Sequence, residues 1–292
     1  MSFKPRTMLL ATDLSSRCDR ALDRASELAK SWGARLIVLT VVEEPPPERG
    51  GSFELPSWRR PPDRLAAVTA QLQLHLAGVA VDTEIRVLEG EIVESILQVA
   101  QAEGAELIVT GIARDETLGR YFLGSTVDRL APSTPVPLLT VKSRLRPYRE
   151  VLVATDFSPR SRHALTTTIR MFSDVPMTVM HGWQVPFAGF LDKGDFRAEW
   201  RDQQLATSEA FLREVRLATG ECRDLKMLLE HGSPEAMISA YLYDHDVGLV
   251  VAATHNGSGP LDRRLGGTAK RILEVAPADV MLVPESRQLN RG

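Results

Sequence analysis

Short apolar runs alternate along the chain with stretches in which apolar residues recur every three or four positions. Met8-Leu9-Leu10-Ala11 reads as a buried strand ending in Thr12-Asp13-Leu14-Ser15. The helix predicted next carries Ala21, Leu22, Ala25, Leu28, Ala29 and Trp32 on one face and stops at Gly33. Leu36 to Val42 is continuously apolar, as in a strand covered on both faces. Glu43 to Pro62, rich in Pro and Gly, is expected to be irregular. A helix over Asp63–Ala77, a strand over Thr83–Val87 and a helix over Ile92–Glu103 lead to a further strand, Leu107–Thr110. Strands alternating with helices predict parallel β-α-β units with right-handed crossovers.

The pattern then repeats. Residues 11–22 and 154–165 share seven identities over twelve positions, including Ala-Thr-Asp, one Ser, one Arg and Ala-Leu. Gly90 answers to Gly232, Gly124 to Gly266, Arg129 to Arg271 and Pro135 to Pro277, each 142 residues later. A period of that length indicates a duplicated domain. The expected fold class is α/β, with two tandem doubly wound, Rossmann-like domains. Each would be a mostly parallel five-stranded sheet flanked by helices. The domains predicted are 1–145 and 146–292, joined by the short basic segment Lys142–Glu150. Strands matched in the second half are Met177–Met180, Leu225–Leu229, Leu249–Ala252 and Val280–Val283. Two similar domains so tightly joined predict an internal pseudo-dimer and allow a homodimer.

The stretch Leu107–Val141 carries the candidate chemistry. A strand breaks into a loop at Gly111 and closes on Gly124-Ser125-Thr126, which opens a short helix before Pro132, Pro135 and a last apolar run. A Gly-Ser-Thr turn at a helix start leaves backbone N–H groups and hydroxyls free for a phosphate. The spacing Gly111-x2-Arg114-x9-Gly124-Ser125 resembles the nucleotide loop of the universal stress protein family, G-x2-G-x9-G-(S/T). With the Asp-turn after each first strand, the turns at Gly90 and Gly232 and the Pro before each last strand, the resemblance spans nearly the whole chain twice. It implies an adenine nucleotide alpha hydrolase-like fold and a site for ATP, with Mg2+, in the first domain.

Carried onto this chain, the resemblance implies that Asp13 faces the adenosine part, that the Val41 backbone meets adenine, and that Gly111, Gly124, Ser125 and Thr126 hold phosphates. Each has an alternative: Asp13 as a helix cap, Val41 as core, the glycines and hydroxyls as turn chemistry. Arg114 stands at the family's second glycine and either fills the space for the phosphates or pairs with them. The second half keeps less of the motif: Ala253-x2-Asn256-x9-Gly266-Gly267, followed by Thr268. Asp156, Asn256, Gly266, Gly267 and Thr268 are its weaker equivalents. Gly182, near the Val41 position, is expected to enlarge or reshape an adenine pocket.

His181, His231 and His255 each follow a predicted second-half strand, so zinc is a question to ask. Thr40, Glu89 and Ala113 stand opposite them in the first half, and the resemblance implies packing and hydrogen bonding, with no metal. Aromatics on the irregular connections (Phe53 and Trp58, then Phe187, Phe190, Phe196 and Trp200) either fold onto their own domain or mark a partner surface.

Composition narrows the rest. Hydrophobic residues make up 43% and charged residues 25%, and the net charge is −3, with no basic excess for nucleic acid or an anionic membrane. No apolar run approaches a membrane span, and no signal-peptide core precedes the first strand. Cys18 and Cys222 form neither a C-x-x-C pair nor a disulfide framework, so a cytoplasmic location is expected. The functional expectation is a non-catalytic regulatory protein of the stress response, with a nucleotide and an unidentified protein as partners. The alternatives are a scaffold without nucleotide and an ATP-using enzyme of the same superfamily. Such an enzyme would show S-G-G-x-D-S or H-x-G-H after the first strand, and both are absent. A phosphoacceptor receiver would need an acidic cluster drawn from several strand ends; each half offers one Asp.

Overall fold

The structure, a computed structural model, describes residues 4–15, 18–43, 63–78, 81–112, 125–184, 195–220, 225–254 and 265–285. Ten strands and eight helices follow one another through these residues. Strands β1 (Thr7–Ala11), β2 (Arg35–Val42), β3 (Thr83–Glu89) and β4 (Leu107–Gly111) alternate with helices α1 (Asp19–Trp32), α2 (Arg64–Leu76) and α3 (Ile92–Ala102). Helix α4 (Ser125–Leu130) and β5 (Leu138–Val141) complete the first repeat. The second consists of β6 (Val151–Ala154), α5 (Pro159–Met171), β7 (Met177–Trp183), α6 (Asp195–Thr219), β8 (Lys226–His231), α7 (Pro234–Asp244), β9 (Leu249–Thr254), α8 (Gly267–Val275) and β10 (Asp279–Pro284).

Two compact units result: residues 5–111, and residues 1–4 with 112–292. They divide the chain differently from the sequence repeats because β5 hydrogen-bonds to β10, antiparallel. In the first unit the strand order is β3-β2-β1-β4, all parallel. In the second it is β5-β10-β9-β6-β7-β8, parallel except at β5. In both, the chain leaves its first strand toward one side and returns on the other. That reversal puts the switch point beside the carboxyl ends of β1 and β6, where open α/β sheets leave a crevice.

The inner strands are mostly apolar because helices cover both faces. Met8, Leu9, Leu10, Ile37, Leu107 and Ile108 are fully buried. Each such side chain contributes roughly 1.5–3 kcal/mol. Helix α1 buries Ala21, Ala25, Leu28 and Ala29 as its periodicity predicts, and also Arg24, which is not among the residues of that apolar face. The turns before α3 and α7 need glycine: Gly90 has φ +147° and Gly232 has φ +155°, a region L-residues avoid.

Three sequence expectations change. Strand β7 runs to Trp183, so His181 and Gly182 lie inside it, and His231 is the last residue of β8. Phe196 and Trp200 belong to α6 and not to an irregular connection. Phe53, Trp58, Phe187, Phe190 and His255 lie outside the described residues.

Candidate functional site

The chain leaves β1 and β6 in the same turn. Thr12 N–H donates to Leu39 O at 3.0 Å, and Thr155 N–H to Met180 O at 2.9 Å. The Thr hydroxyl accepts from the residue two places on: Leu14 N at 3.1 Å and Phe157 N at 3.0 Å. The Asp carboxylate does likewise, Asp13 Oδ1 taking Ser15 N at 2.9 Å and Asp156 Oδ1 taking Ser158 N at 3.0 Å. These paired bonds hold Leu14 and Phe157 at φ +62°, a left-handed conformation that costs about 1–2 kcal/mol for a residue with a Cβ. Asp13 and Asp156 therefore close the turns ahead of the helices. They are not the helix caps. The cap of α5 is Ser158, whose hydroxyl accepts from Ser161 N at 3.2 Å.

Both carboxylates are ionised at neutral pH. At Asp13 burial works to raise the pKa, but hydrogen bonds from Ser15 and the Cys18 thiol outweigh it and hold the group below its ordinary value. The thiol donates at 3.1 Å and is itself pushed up, by burial first and by the neighbouring carboxylate. A desolvated, protonated Cys18 is a poor nucleophile. Asp156 is lowered in the same way, with Ser158 and Ser161 outweighing burial.

Around these matching turns the neighbours differ. Thr40 Oγ donates to Thr12 O at 2.9 Å, and in the second repeat His181 Nδ1 takes the same part toward Thr155 O at 2.8 Å. A carbonyl can only accept, so the proton sits on Nδ1. The ring of Phe157 lies 4.3 Å from His181, centroid to centroid, and 5.4 Å from Phe211 of α6. Phe211 is 4% exposed, and the three rings fill the space beside the Asp156 turn. In the first repeat Leu14 replaces Phe157, and a void of about 10 Å³, room for one water, lies between β1, β2, α1 and α2, lined by Leu10, Leu14, Cys18, Leu22, Leu72 and His75 among others. Sequence reasoning missed the aromatic stack; Phe211 lies on a helix of weak periodicity, far from Phe157 in the chain.

Val41 lies half-buried on β2, and Gly111 ends β4, one residue past the Ala11–Thr110 pair, which places it beside the Asp13 turn. Ser125 is the first residue of α4 and Thr126, half-buried, the second. Arg114, Gly124 and Asn256 lie outside the described residues.

Gly182 holds Val41's place on β7. A Cβ there would come within 2.9 Å of Pro234 Cα and 3.1 Å of Gly232 O, so the glycine admits the turn after β8. Gly266 precedes α8 as an N-cap with no side-chain bond, and Gly267 and Thr268 are its first residues. A Cβ on either glycine would meet nothing within 4 Å among the described residues. His231 stands edge-on to Trp183, with ring centroids 4.9 Å apart. Among the described residues no group of three or more His, Cys, Asp or Glu side chains converges for a metal. Among them, too, no helix is long and apolar enough to cross a membrane.

Comparison with known proteins agrees with this architecture. A universal stress protein from Thermus aquaticus is 35% identical over 137 residues, covering 47% of this chain and 98% of its own length. The stress response protein NhaX of Bacillus subtilis is 27% identical over 165 residues, or 48% of this chain and 99% of its own. A universal stress protein structure from Archaeoglobus fulgidus superposes with a TM-score of 0.68 at 18% identity, covering 97% of this chain and 99% of that one. The universal stress protein family model matches twice, at residues 4–142 and 147–284, and the chain belongs to that family as a tandem of two copies.

Proposed function

We propose that the protein is a cytoplasmic, non-catalytic regulator of the stress response whose first repeat binds ATP with Mg2+ and whose second does not. The observation supporting this reading is the contrast at the two Asp turns: ionised Asp13 is followed by Leu14 at the left-handed position, whereas Asp156 is followed by Phe157, packed in the Phe157–His181–Phe211 stack. A carboxylate is an acceptor only, so Asp13 suits hydroxyls or an amino group at the nucleoside end of a ligand. Gly111, Arg114, Gly124, Ser125 and Thr126 are assigned to the phosphate end from their sequence pattern. Asp156, Asn256, Gly266, Gly267 and Thr268 are read as counterparts that bind no nucleotide, a reading supported by the rings packed beside the Asp156 turn. Binding would change the protein's conformation or its hold on a protein partner, with no turnover required.

Calorimetric titration with ATP and Mg2+ tests this. One site per chain is expected, lost in Gly124→Asp and kept in Gly266→Asp. Absence of heat at millimolar ATP, in protein stripped of carried-over nucleotide, would overturn the reading and leave a scaffold acting through protein partners.

A further inference from the structure

Along the antiparallel seam of β5 and β10, Thr140 stands opposite Val280, Leu139 opposite Met281 and Leu138 opposite Leu282. Leu139 and Met281 are one repeat period apart, so equivalent residues face each other and a local two-fold passes between them. Between identical copies, every residue near such an axis meets its own equivalents. Here the equivalents have diverged. Asp128 of α4 and Lys270 of α8 are also one period apart, and they pair at 3.4 Å.

The larger departure is at Asp279, which is 0% exposed. Its Oδ1 accepts from Lys142 N and Ser143 N, both at 2.9 Å, and from Ser143 Oγ at 2.8 Å. Its Oδ2 accepts from Tyr148 OH at 2.8 Å. Lys142, 2% exposed, sends its ammonium to Leu273 O and, at 2.9 Å, to Ala276 O at the end of α8. The segment after β5 is thus docked by backbone and side chain together. At the symmetry-related positions Pro137 stands for Asp279, Pro284 for Lys142 and Glu285 for Ser143. That end has neither the carboxylate nor the first N–H, so the clasp forms once.

We infer that Asp279, supported by the Asp128–Lys270 pair, selects the partner of the β5 edge: β10 of the same chain, in preference to the equivalent strand of a second copy. If β10 met β10, Asp279 would face a proline without an N–H and the Glu285 carboxylate, a buried charge stripped of these donors. Lys270 would also meet Lys270. If β5 met β5, the amides of Lys142 and Ser143 would face Pro137, and Asp128 would meet Asp128. Like charges and missing donors disfavour both like-with-like pairings, which is how specificity is built against a near-identical competitor.

Cross-linking of the full chain, with Cys18→Ser and Cys222→Ser as background, decides it. With Asp128→Cys and Lys270→Cys together, a short bis-maleimide should join residues 128 and 270 within single chains. Asp128→Cys alone should give single chains even at high protein concentration. Adding Asp279→Ala should raise the yield of chain dimers joined 128 to 128 several-fold. Asp279→Asn, which keeps the shape and one acceptor, should fall between and decides the matter if Asp279→Ala fails to fold. Equal yields of 128–128 dimers with and without Asp279 would overturn the inference, as would single chains throughout.

Discussion

The turns after β1 and β6 share their backbone, hydrogen bonds and an ionised aspartate, yet one carries Leu14 at its left-handed position and the other Phe157, packed among three rings. The backbone geometry of the turn therefore does not set its surroundings. They are set by the residue at the left-handed position, Leu14 or Phe157, and by the side chains that reach it from β2 or β7 and from the following helix.

The comparison breaks most readily at Phe211. Phe211→Ala removes a buried ring from the stack, and urea unfolding should show a loss of about 3–5 kcal/mol. A loss well under 1 kcal/mol would mean that the rings are peripheral. Gly182→Val imports the first repeat's residue into the second and drives a Cβ against Pro234; about 1–3 kcal/mol should be lost, by the same assay. Stability equal to the parent would return Gly182 to the role of a pocket residue.

Lys142, whose equivalent is Pro284, sharpens the contrast through pH. Burial lowers its pKa to about 7 from 10.5, against the opposing pull of Asp279 and Glu274. Between those values the unfolded chain binds the extra proton, so stability should rise with pH, by up to about 1.4 kcal/mol per unit. Lys142→Met should flatten that rise in unfolding midpoints measured across the window. The smallest effect is expected at Thr40→Val, which takes its hydroxyl from the Thr12 carbonyl and should cost about 1 kcal/mol by thermal unfolding.

Much of the fold was legible because it rests on local chemistry. The Asp-x-Ser turns, the glycines at 90 and 232 and the apolar strands each follow from a few neighbouring residues. The cap of α2 is of the same kind, with Asp63 accepting from Ala66 N at 3.0 Å. Strand ends were less legible: His181 and Gly182 do not read as strand, yet the ladder to β8 carries through them to the Trp183–His231 pair. The buried charges were the least legible. Arg24, Lys142 and Asp279 look like surface residues until their distant partners are known, although Asp279, set between Ala278 and an apolar run, carried a hint. At the site, the Asp13 turn could be foreseen and the second-repeat stack could not, since its rings come from three separate elements.

The Asp279 clasp also has a consequence for the order of synthesis. Lys142 and Ser143 leave the ribosome well before the carboxylate that receives them, Asp279 following Lys142 by 137 positions. Until then β5 has no β10 to pair with, and an unpaired strand edge invites association with other chains. A chain terminated before residue 279 keeps that edge bare for good. The strand that closes the seam is made long after β5, so chains terminated before residue 279 should aggregate more than the full chain.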